Sequence, residues 1–440
     1  MAVIKIKKGY DLRLFGEINT KTIAHVECEQ YAVMPDDFCG VVPRLDIKEG
    51  VAVKQGDKLF HDRQFAEIAI TSPVSGVVKE IRRGERRKIE TIIIEKTADD
   101  ASRKKFDLRN SAKSLLLESG LWACMQQRPY AVVPNPMITP RDIFVTAFDS
   151  APLAPDFSVV LKDKEKYIQK GVNILSTLTD GNVYVGVNGN NIYNIKGASV
   201  NAFVGPHPAG NVGIQIANVK PVNKGEVVWT LDLVTVARIG EFFTTGIVPF
   251  DTIVAVNGSE IDTPQYIKCV MGATLSSILN GKLASTENVK IINGNVLTGC
   301  TSTIDGFLRF PYRHVTVIKE LANRGEFMGW ASLSSSKFSV YRSFFSWLSP
   351  KKKVKLDSKL NGGERAIVMA GEYDRMLPMD IYAEFLIKSI IAFDIEKMEQ
   401  LGIYEVAPED FALCEFVDTS KLELQRIVRE GLDKLRKEME

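Results

Sequence analysis

Residues 48–59 read KEGVAVKQGDKL, and residues 72–78 read SPVSGVV. Short valine-rich runs alternate with glycines in both stretches, and similar runs continue from residue 31 to residue 95. Regular turn residues between short β-branched runs are typical of small β units and differ from the longer apolar periodicity of helices. The segment therefore predicts a small all-β domain near the start of the chain.

The spacing of these glycines resembles the barrel-sandwich module of biotinyl and lipoyl carrier domains. In such carriers the modified lysine stands at a hairpin tip, and counting back eight positions from Pro73 to the matching site gives Phe65. The surrounding residues 64–67 contain no lysine. We therefore expect a scaffold domain or one wall of a binding site, with a biotinyl/lipoyl-type carrier protein as an alternative.

The rest of the chain changes character twice. From 101 to 255, strand-like runs alternate with helical stretches, which predicts a Rossmann-like α/β domain with a parallel sheet. Residues 256–335 return to short strands around one helical piece and suit a β-grasp (SLBB-like) domain. Residues 336–440 predict a linker and a C-terminal helical domain. The fold class is thus α+β multidomain, with residues 1–100 holding an N-terminal segment and the barrel sandwich.

The α/β region lacks the glycine motifs with which such domains usually hold nucleotides. Gly186-Val-Asn-Gly189 follows a strand-like run without G-x-G-x-x-G spacing, and no lysine and hydroxyl residue follow Gly210 as a P-loop requires. Both motifs bring backbone amides to phosphate groups. We therefore expect no nucleotide on this domain.

Composition excludes several classes of protein. The 440 residues carry 56 Lys+Arg against 54 Asp+Glu, a net charge of +2. The chain as a whole therefore has no strong positive electrostatic field that would attract nucleic acid. No apolar run approaches the roughly 20 residues of a bilayer span, and the first residues lack the apolar region of a signal peptide. We therefore expect a cytoplasmic chain. The six cysteines include no CxxC pair, so we expect no metal or iron–sulfur site.

Two polar stretches stand out from this background. The loop GPHPAG, residues 205–210, could present His207 as a ligand or base, but no second histidine stands near it. We expect a structural loop built on Gly205, His207 and Gly210. The basic run 82–88 lies between two strand-like runs and predicts a solvated hairpin turn.

The predicted linker contains aromatic residues followed by lysines, FFSWL at 344–348 and KKKVK at 351–355. Apolar side chains next to lysines suit a segment that docks on an anionic membrane surface or on a membrane-bound partner. A flexible linker whose aromatics tuck into a neighbouring domain explains the same residues equally well. The docking candidates are Phe344, Phe345, Trp347, Lys351, Lys352 and Lys353.

Several stretches together resemble one family, the NqrA subunits of the bacterial Na⁺-translocating NADH:quinone oxidoreductase (Nqr). They are KGYDLRLFG at 8–16, SGLWACMQQRPY at 119–130, TAFDSAPLAP at 146–155, GPHPAG at 205–210 and LPMD at 377–380. The resemblance implies a peripheral component on the cytoplasmic face of the bacterial inner membrane. It implies a hetero-oligomer of six subunits that oxidises NADH, reduces ubiquinone and exports sodium. Flavins and iron centres are then expected on the partner subunits, and no cofactor on this chain.

Ubiquinone is the ligand that the family suggests for this chain. A quinone needs an apolar cleft with aromatic walls and a donor for its carbonyl oxygens. The candidate contacts are Trp122, Arg128, Tyr130 and Phe148. Alternatively, Trp122 and Phe148 are core residues and Arg128 caps a helix C-terminus. We predict no catalytic residue in this chain, and the alternative function is a free-standing cytosolic NADH-dependent oxidoreductase.

Overall fold

The computed structural model describes residues 2–20, 22–97, 102–189, 193–321, 340, 348–349, 352–360, 363–368 and 371–439. In these residues the strands are β1 (Ala2–Lys5), β2 (Ile23–His25), β3 (Gln30–Val33), β4 (Pro43–Leu45), β5 (Ala52–Val53), β6 (Lys58–Asp62), β7 (Ala69–Thr71), β8 (Gly76–Arg83), β9 (Ile89–Lys96), β10 (Gln126–Arg128), β11 (Asp142–Thr146), β12 (Val183–Asn188), β13 (Ser199–Val204), β14 (Val228–Asp232), β15 (Asp251–Asn257), β16 (Gln265–Val270), β17 (Val289–Asn293), β18 (Cys300–Ser302) and β19 (His314–Lys319). The helices in the same part of the chain are α1 (Ala112–Ser119), α2 (Phe157–Val160), α3 (Glu165–Leu175), α4 (Val212–Val219), α5 (Leu233–Thr245), α6 (Leu275–Leu279), α7 (Glu372–Met376), α8 (Ala383–Ala392), α9 (Ile395–Gln400), α10 (Ala412–Val417) and α11 (Leu424–Met439).

The predicted barrel sandwich consists of two antiparallel sheets, in the orders β3-β9-β8-β5 and β4-β6-β7. Ile92 and Ile94 of β9 have no exposed surface and belong to the same core as Phe60. Gly76 permits close packing of β8 on β9, because a Cβ at that position would lie 2.1 Å from the carbonyl oxygen of Glu95. The glycine in SPVSGVV is therefore required by the approach of two strands.

A parallel sheet forms the centre of the α/β domain. Strands β13, β12, β11 and β14 lie in that spatial order and pair in parallel, which is the 3-2-1-4 order of doubly wound nucleotide-binding folds. Helices α3 and α5 approach closely because a glycine lies at the contact: a Cβ on Gly240 would lie 1.8 Å from the carbonyl oxygen of Tyr167. The strand order reverses between β11 and β14, and such folds bind ligands at the carboxyl ends of these strands.

The sequence predicts the N-terminal segment and the barrel sandwich within one domain, residues 1–100. In the structure, the N-terminal segment lies apart from the barrel sandwich. β1 pairs in parallel with β13 at the edge of the α/β sheet, and β2 pairs in parallel with β16 in the third domain. Gly9 lies against the backbone of His207, since a Cβ at Gly9 would be 2.1 Å from that carbonyl oxygen. Short strands cannot form a stable sheet of their own, so they extend larger ones.

The third domain is built on a sheet in the order β18-β17-β19-β15-β16-β2. Its first strand begins at Asp251, ahead of the predicted boundary at 256. Helix α6 contributes Leu275 and Ile278, which have no exposed surface. A small sheet with one short helix is the β-grasp (SLBB-like) arrangement that the sequence predicted.

Helices α7 to α11 form the predicted C-terminal helical domain. Its core includes Leu386, Phe411 and Val428 and is separate from the core that runs through the first three domains. Cys414 lies in this second core without exposed surface, and burial raises the pKa of its thiol. No helix in the described ranges is both long and apolar enough to cross a membrane. The same ranges contain no group of three or more His, Cys, Asp or Glu side chains that could hold a metal ion.

Candidate functional site

Trp122, the first predicted quinone contact, lies in the interior. Its side chain has no exposed surface, and its Nε1 donates a hydrogen bond to the carbonyl oxygen of Pro134 at 2.8 Å. Its ring meets Trp229 edge to face, with the ring centroids 4.9 Å apart. Helix α1 ends at Gly120 in the left-handed conformation, and a 3₁₀ turn at Trp122–Cys124 follows. The indole is a satisfied core side chain that offers no surface to a ligand in this conformation.

Arg128 is fully buried between the α/β domain and the C-terminal helical domain. Its guanidinium donates to the carboxylates of Asp410 and Glu409 at 2.8 Å and 2.7 Å and to the carbonyl of Glu405 at 3.0 Å. Gly213 of α4 makes room for this cluster, because a Cβ there would lie 2.5 Å from both carboxylate oxygens of Asp410. Burial lowers the pKa of Arg128, but the two carboxylates outweigh burial and hold that pKa above its usual value. Arg128 thus joins two domains as a charged residue and does not cap a helix.

Tyr130 and Phe148 are half-buried and pack against the core of the C-terminal domain. The ring of Tyr130 meets that of Tyr404 edge to face, with centroids 6.4 Å apart. The carbonyl of Phe148 accepts a hydrogen bond from Thr146 Oγ1 at 3.0 Å. Trp122 belongs to the other core, so the structure divides the three aromatic candidates between two cores. Their role as quinone contacts stays a prediction.

The GPHPAG loop follows β13 and holds the N-terminal segment. The backbone amide of His207 donates to Asp11 Oδ1 at 2.8 Å, and its carbonyl accepts from the amide of Tyr10 at 2.8 Å. Ser150 Oγ is hydrogen-bonded to His207 Nδ1 at 3.0 Å and accepts from the amide of Gly210 at 2.8 Å. Burial lowers the pKa of His207 to about 4, so the imidazole is neutral at pH 7. These contacts hold the loop against the N-terminal segment, and the structural role of Gly205, His207 and Gly210 stays a prediction.

The predicted docking segment, residues 344–353, lies only partly within the described residues. Phe344, Phe345, Trp347 and Lys351 lie outside the described residues. Lys353 forms an exposed ion pair with Glu17 at 2.6 Å, and the amide of Lys352 donates to the carbonyl of Ser349 at 2.9 Å. Val354 then forms a parallel bridge with Leu14. Lys353 and Val354 are therefore held alongside the N-terminal segment.

A cleft that the sequence did not predict lies where the first three domains meet. Its apolar walls are formed by Met34 and Phe38 of the barrel sandwich, Leu121, Val248 and Phe250 of the α/β domain and its exit, and Met271, Leu308 and Phe310 of the third domain. The rings of Phe38 and Phe310 stack across it, with centroids 5.4 Å apart and planes 15° from parallel. The enclosed volume is small, about 60 Å³. We call this site the three-domain cleft.

Arg238 is a charged side chain of this cleft that has no charged partner among the described residues. It lies on α5, is 6% exposed and lines the cleft. Within the described residues its guanidinium makes one long hydrogen bond, to the carbonyl oxygen of Asp251 at 3.4 Å, and no ion pair. Burial lowers its pKa. Burying a guanidinium without a carboxylate partner lowers the stability of the folded state. Its unsatisfied N–H groups are therefore strong hydrogen-bond donors for a ligand oxygen that enters the cleft.

A second charged group beside the cleft is fully paired. Asp37 accepts from Arg309 at 2.6 Å and from the amide of Phe310 at 3.0 Å. Burial raises the pKa of Asp37 to about 6, against the opposing effect of Arg309. Cys124 also lines the cleft, but burial raises the pKa of its thiol to about 11. The thiol is therefore protonated at pH 7 and a poor nucleophile.

The carboxyl ends of the parallel strands, where related folds bind phosphates, carry the protein's own carboxylates. Asp156 caps α2 by accepting from the amide of Ser158 at 2.8 Å. Asp232 caps α5 by accepting from the amide of Thr235 at 2.7 Å. Asp410 lies against Gly213 in the first turn of α4. Asp156 and Asp232 thus occupy helix amides that could otherwise bind a phosphate, and Asp410 fills the space beside the first turn of α4.

The hairpin tip of the barrel sandwich is packed against the protein. Phe65, at the position of a carrier lysine, is half-buried and contacts the main core. Its amide donates to Asp62 Oδ2 at 3.0 Å, and Asp62 Oδ1 accepts from the amide of Val42 at 2.8 Å. A side chain held in this way cannot serve as a swinging arm.

Sequence reasoning missed Arg238 although a signal was present. The run LVTVARIGEFF, residues 233–243, contains one arginine among mostly apolar residues. A lone charge on an apolar helix face marks a buried pair or a ligand contact. Asp37 and Arg309 gave no such signal, because Asp37 ends a three-residue 3₁₀ helix, Arg309 lies in a loop, and their pairing depends on the docking of two domains.

Family models match three consecutive parts of the chain. They are the NqrA N-terminal barrel-sandwich hybrid domain at residues 4–97, the NqrA second alpha/beta domain at 108–248 and an NQRA C-terminal domain at 253–303. A solved NAD⁺-reducing [NiFe]-hydrogenase is 10% identical over 48% of each chain with a TM-score of 0.36, which is too low to carry an argument.

Curated relatives match over the whole length. The NqrA subunit of the Na(+)-translocating NADH-quinone reductase from Photorhabdus laumondii is 36% identical over 99% of this chain and 100% of the relative. The corresponding subunits from Rhodopirellula baltica and Cellvibrio japonicus are 33% and 36% identical, again over 99% of this chain. The resemblance seen in the sequence and the predicted fold class are confirmed, and the chain belongs to the family of NqrA subunits of the Na(+)-translocating NADH-quinone reductase.

Proposed function

We propose that this chain is a non-redox component on the cytoplasmic face of the membrane, where it contacts ubiquinone through the three-domain cleft. The observation that carries the proposed quinone contact is Arg238, a buried guanidinium that lines an apolar cleft and has no carboxylate partner among the described residues. A quinone has the matching chemistry, because its ring is apolar and its two carbonyl oxygens accept hydrogen bonds.

The cleft would bind a quinone only with some movement of its walls. About 60 Å³ of enclosed space is less than a substituted ring occupies. Phe38 and Phe310 stack on each other across the cleft and are the side chains whose separation would admit a ring between them. Arg238 would then donate to one carbonyl oxygen. The role of this chain is to bind and orient the quinone, and electrons come from centres on partner subunits.

We propose further that this chain binds no flavin, nucleotide or iron centre of its own. Carboxylates cap α2 and α5 and lie at the first turn of α4. Cys414 is alone in a packed core, and one thiolate cannot hold a cluster. The α/β domain therefore keeps the architecture of a cofactor domain and uses it as a scaffold.

We propose that the docking segment attaches this chain to the other five subunits of the complex. Leu348 is exposed, and Lys352 and Lys353 follow it on the surface. Attachment that depends on these lysines is weakened by salt, because screening shortens the range of exposed charges to about 10 Å at 0.1 M.

A calorimetric titration of the purified chain tests the proposed ligand. We expect binding of a short-chain ubiquinone, no binding of NADH, and no visible absorbance from flavin or iron. Bound flavin, or NADH binding without quinone binding, would favour a free-standing oxidoreductase. Co-expression with the partner subunits, followed by membrane sedimentation in low and high salt, tests the attachment separately. We expect more of the chain on membranes that contain the partner subunits than on membranes that lack them, and a smaller difference in high salt.

A further inference from the structure

The hairpin formed by β8 and β9 ends in a turn with concentrated positive charge that the proposed function leaves unused. Residues 82–88, the basic hairpin tip, contain five cationic side chains and one acidic side chain. The whole chain has a net charge of only +2. The remaining residues are therefore slightly negative on balance, and the positive charge is a local property of this hairpin.

Two cations at the base of the tip have exposed partners. Arg82 pairs with Glu80 at 3.1 Å, and Lys88 pairs with Asp36 at 2.6 Å. All four side chains are about half exposed. Such pairs are held weakly in water and exchange readily for other partners.

The cations at the end of the tip form no ion pair with any carboxylate in the described part of the chain. Arg86 and Arg87 are exposed, and neither has a carboxylate partner within the described residues. Arg83 Nη1 donates to the backbone carbonyl of Arg87 at 3.2 Å, which fixes the turn without neutralising it. The tip thus presents guanidinium groups to the solvent.

The backbone of the tip gives a second, independent observation. Arg86 and Arg87 have φ angles of 53° and 61°, in the left-handed region that glycine and asparagine adopt most readily. A turn that served only to connect two strands would be more stable with glycine at these positions. Two consecutive arginines in strained conformations indicate that their side chains have a role at this place.

We propose that the basic hairpin tip binds the anionic phospholipid surface of the membrane, an inference that rests on the peripheral location proposed above. Guanidinium groups bind phosphate through paired hydrogen bonds, and each cation near an anionic surface strengthens association. Residues 82–88 contain no large apolar side chain. Binding is therefore electrostatic and sensitive to salt, unlike insertion of aromatic side chains.

Vesicle sedimentation with the full-length chain tests this surface. Wild-type protein should bind phosphatidylcholine vesicles that contain about a third phosphatidylglycerol, and should be released between about 0.1 and 0.5 M salt. The double variant R86G/R87G should bind about 30-fold more weakly, since two surface cations are removed. Its melting temperature should be unchanged or higher, because glycine relieves the left-handed backbone.

A matched control removes two charges elsewhere. Lys166 and Lys170 are exposed on α3, so K166Q/K170Q should bind like wild type. Equal binding to vesicles with and without phosphatidylglycerol, or unchanged binding of R86G/R87G, would overturn the proposal. Loss of binding in K352Q/K353Q with full binding in R86G/R87G would also overturn it, by assigning the affinity to the docking segment. Because assembly with partner subunits is measured separately, failure on vesicles is distinguishable from failure of the proposed function.

Discussion

Two buried arginines in this protein lie in opposite electrostatic surroundings. Arg128 has no exposed surface and is held by Asp410 and Glu409, whereas Arg238 is 6% exposed and has one long hydrogen bond to a carbonyl within the described residues. The first lies between the α/β and C-terminal domains, and the second faces the three-domain cleft.

The presence or absence of a carboxylate partner distinguishes a structural arginine from a candidate ligand contact better than residue type does. Folding neutralises the charge of Arg128 with two carboxylates, so its removal leaves buried negative charge behind. Within the part of the chain that the structure describes, Arg238 has no such partner, and its unsatisfied donors are available to a ligand. The sequence suggested Arg128 as the quinone donor, a role that stays a prediction, and the donor that we propose is Arg238.

The largest expected effect is that of R128M, which leaves Asp410 buried without its cation. We expect a loss of about 3–5 kcal/mol in the free energy of unfolding and exposure of the C-terminal helical domain to protease. Limited proteolysis and urea unfolding measure both. R109M is the control, since Arg109 is 90% exposed in its side chain. A loss no greater than that of R109M would remove the distinction between the two buried arginines.

Within the paired cluster, D410N should cost more stability than E409Q. The carboxylate of Asp410 has no exposed surface and also accepts from the amide of Ala407 at 2.9 Å, whereas Glu409 is 34% exposed in its side chain. We expect a loss of about 1–3 kcal/mol for D410N and less than about 1 kcal/mol for E409Q, by urea unfolding. The reverse order would show that Glu409 is the main partner of Arg128.

A smaller effect concerns the pH dependence of the pair beside the cleft. The folded pKa of Asp37 is raised from 3.8 to about 6, so the folded state binds an extra proton between these values. The contribution of Asp37 to the free energy of unfolding is therefore largest below about pH 4. It falls by up to about 3 kcal/mol as the pH rises to about 6. The difference in unfolding free energy between wild type and D37N should change across this range. If the unfolding free energies of wild type and D37N changed in parallel with pH, the raised pKa of Asp37 would be contradicted.

The local patterns predicted much of the fold. The glycine spacing at 48–78 predicted the barrel sandwich, and alternating strands and helices predicted the α/β domain, because both depend on contacts near in sequence. The places of β1 and β2 could not be predicted, since strands of three or four residues carry little pattern and join sheets more than 150 residues away.

The candidate site was harder to predict for the same reason. The three-domain cleft combines residues near 34, 248 and 310, which only the docking of domains brings together. Trp122 had the residue type of a quinone contact, but its indole is satisfied inside the core by Pro134. Residue type indicates which contacts a side chain is able to make. Whether it is free to contact a ligand depends on its burial and on the hydrogen-bond partners it already has.

A quinone titration of R238M tests the central claim most directly. With Arg238 as the donor, short-chain ubiquinone should bind at least about tenfold more weakly to R238M than to wild type. The melting temperature should be equal or higher, because an unpaired buried charge has been replaced by an apolar side chain. R109M should match wild type in both measurements. Quinone affinity of R238M within about twofold of wild type would contradict the assignment of Arg238 as the quinone donor.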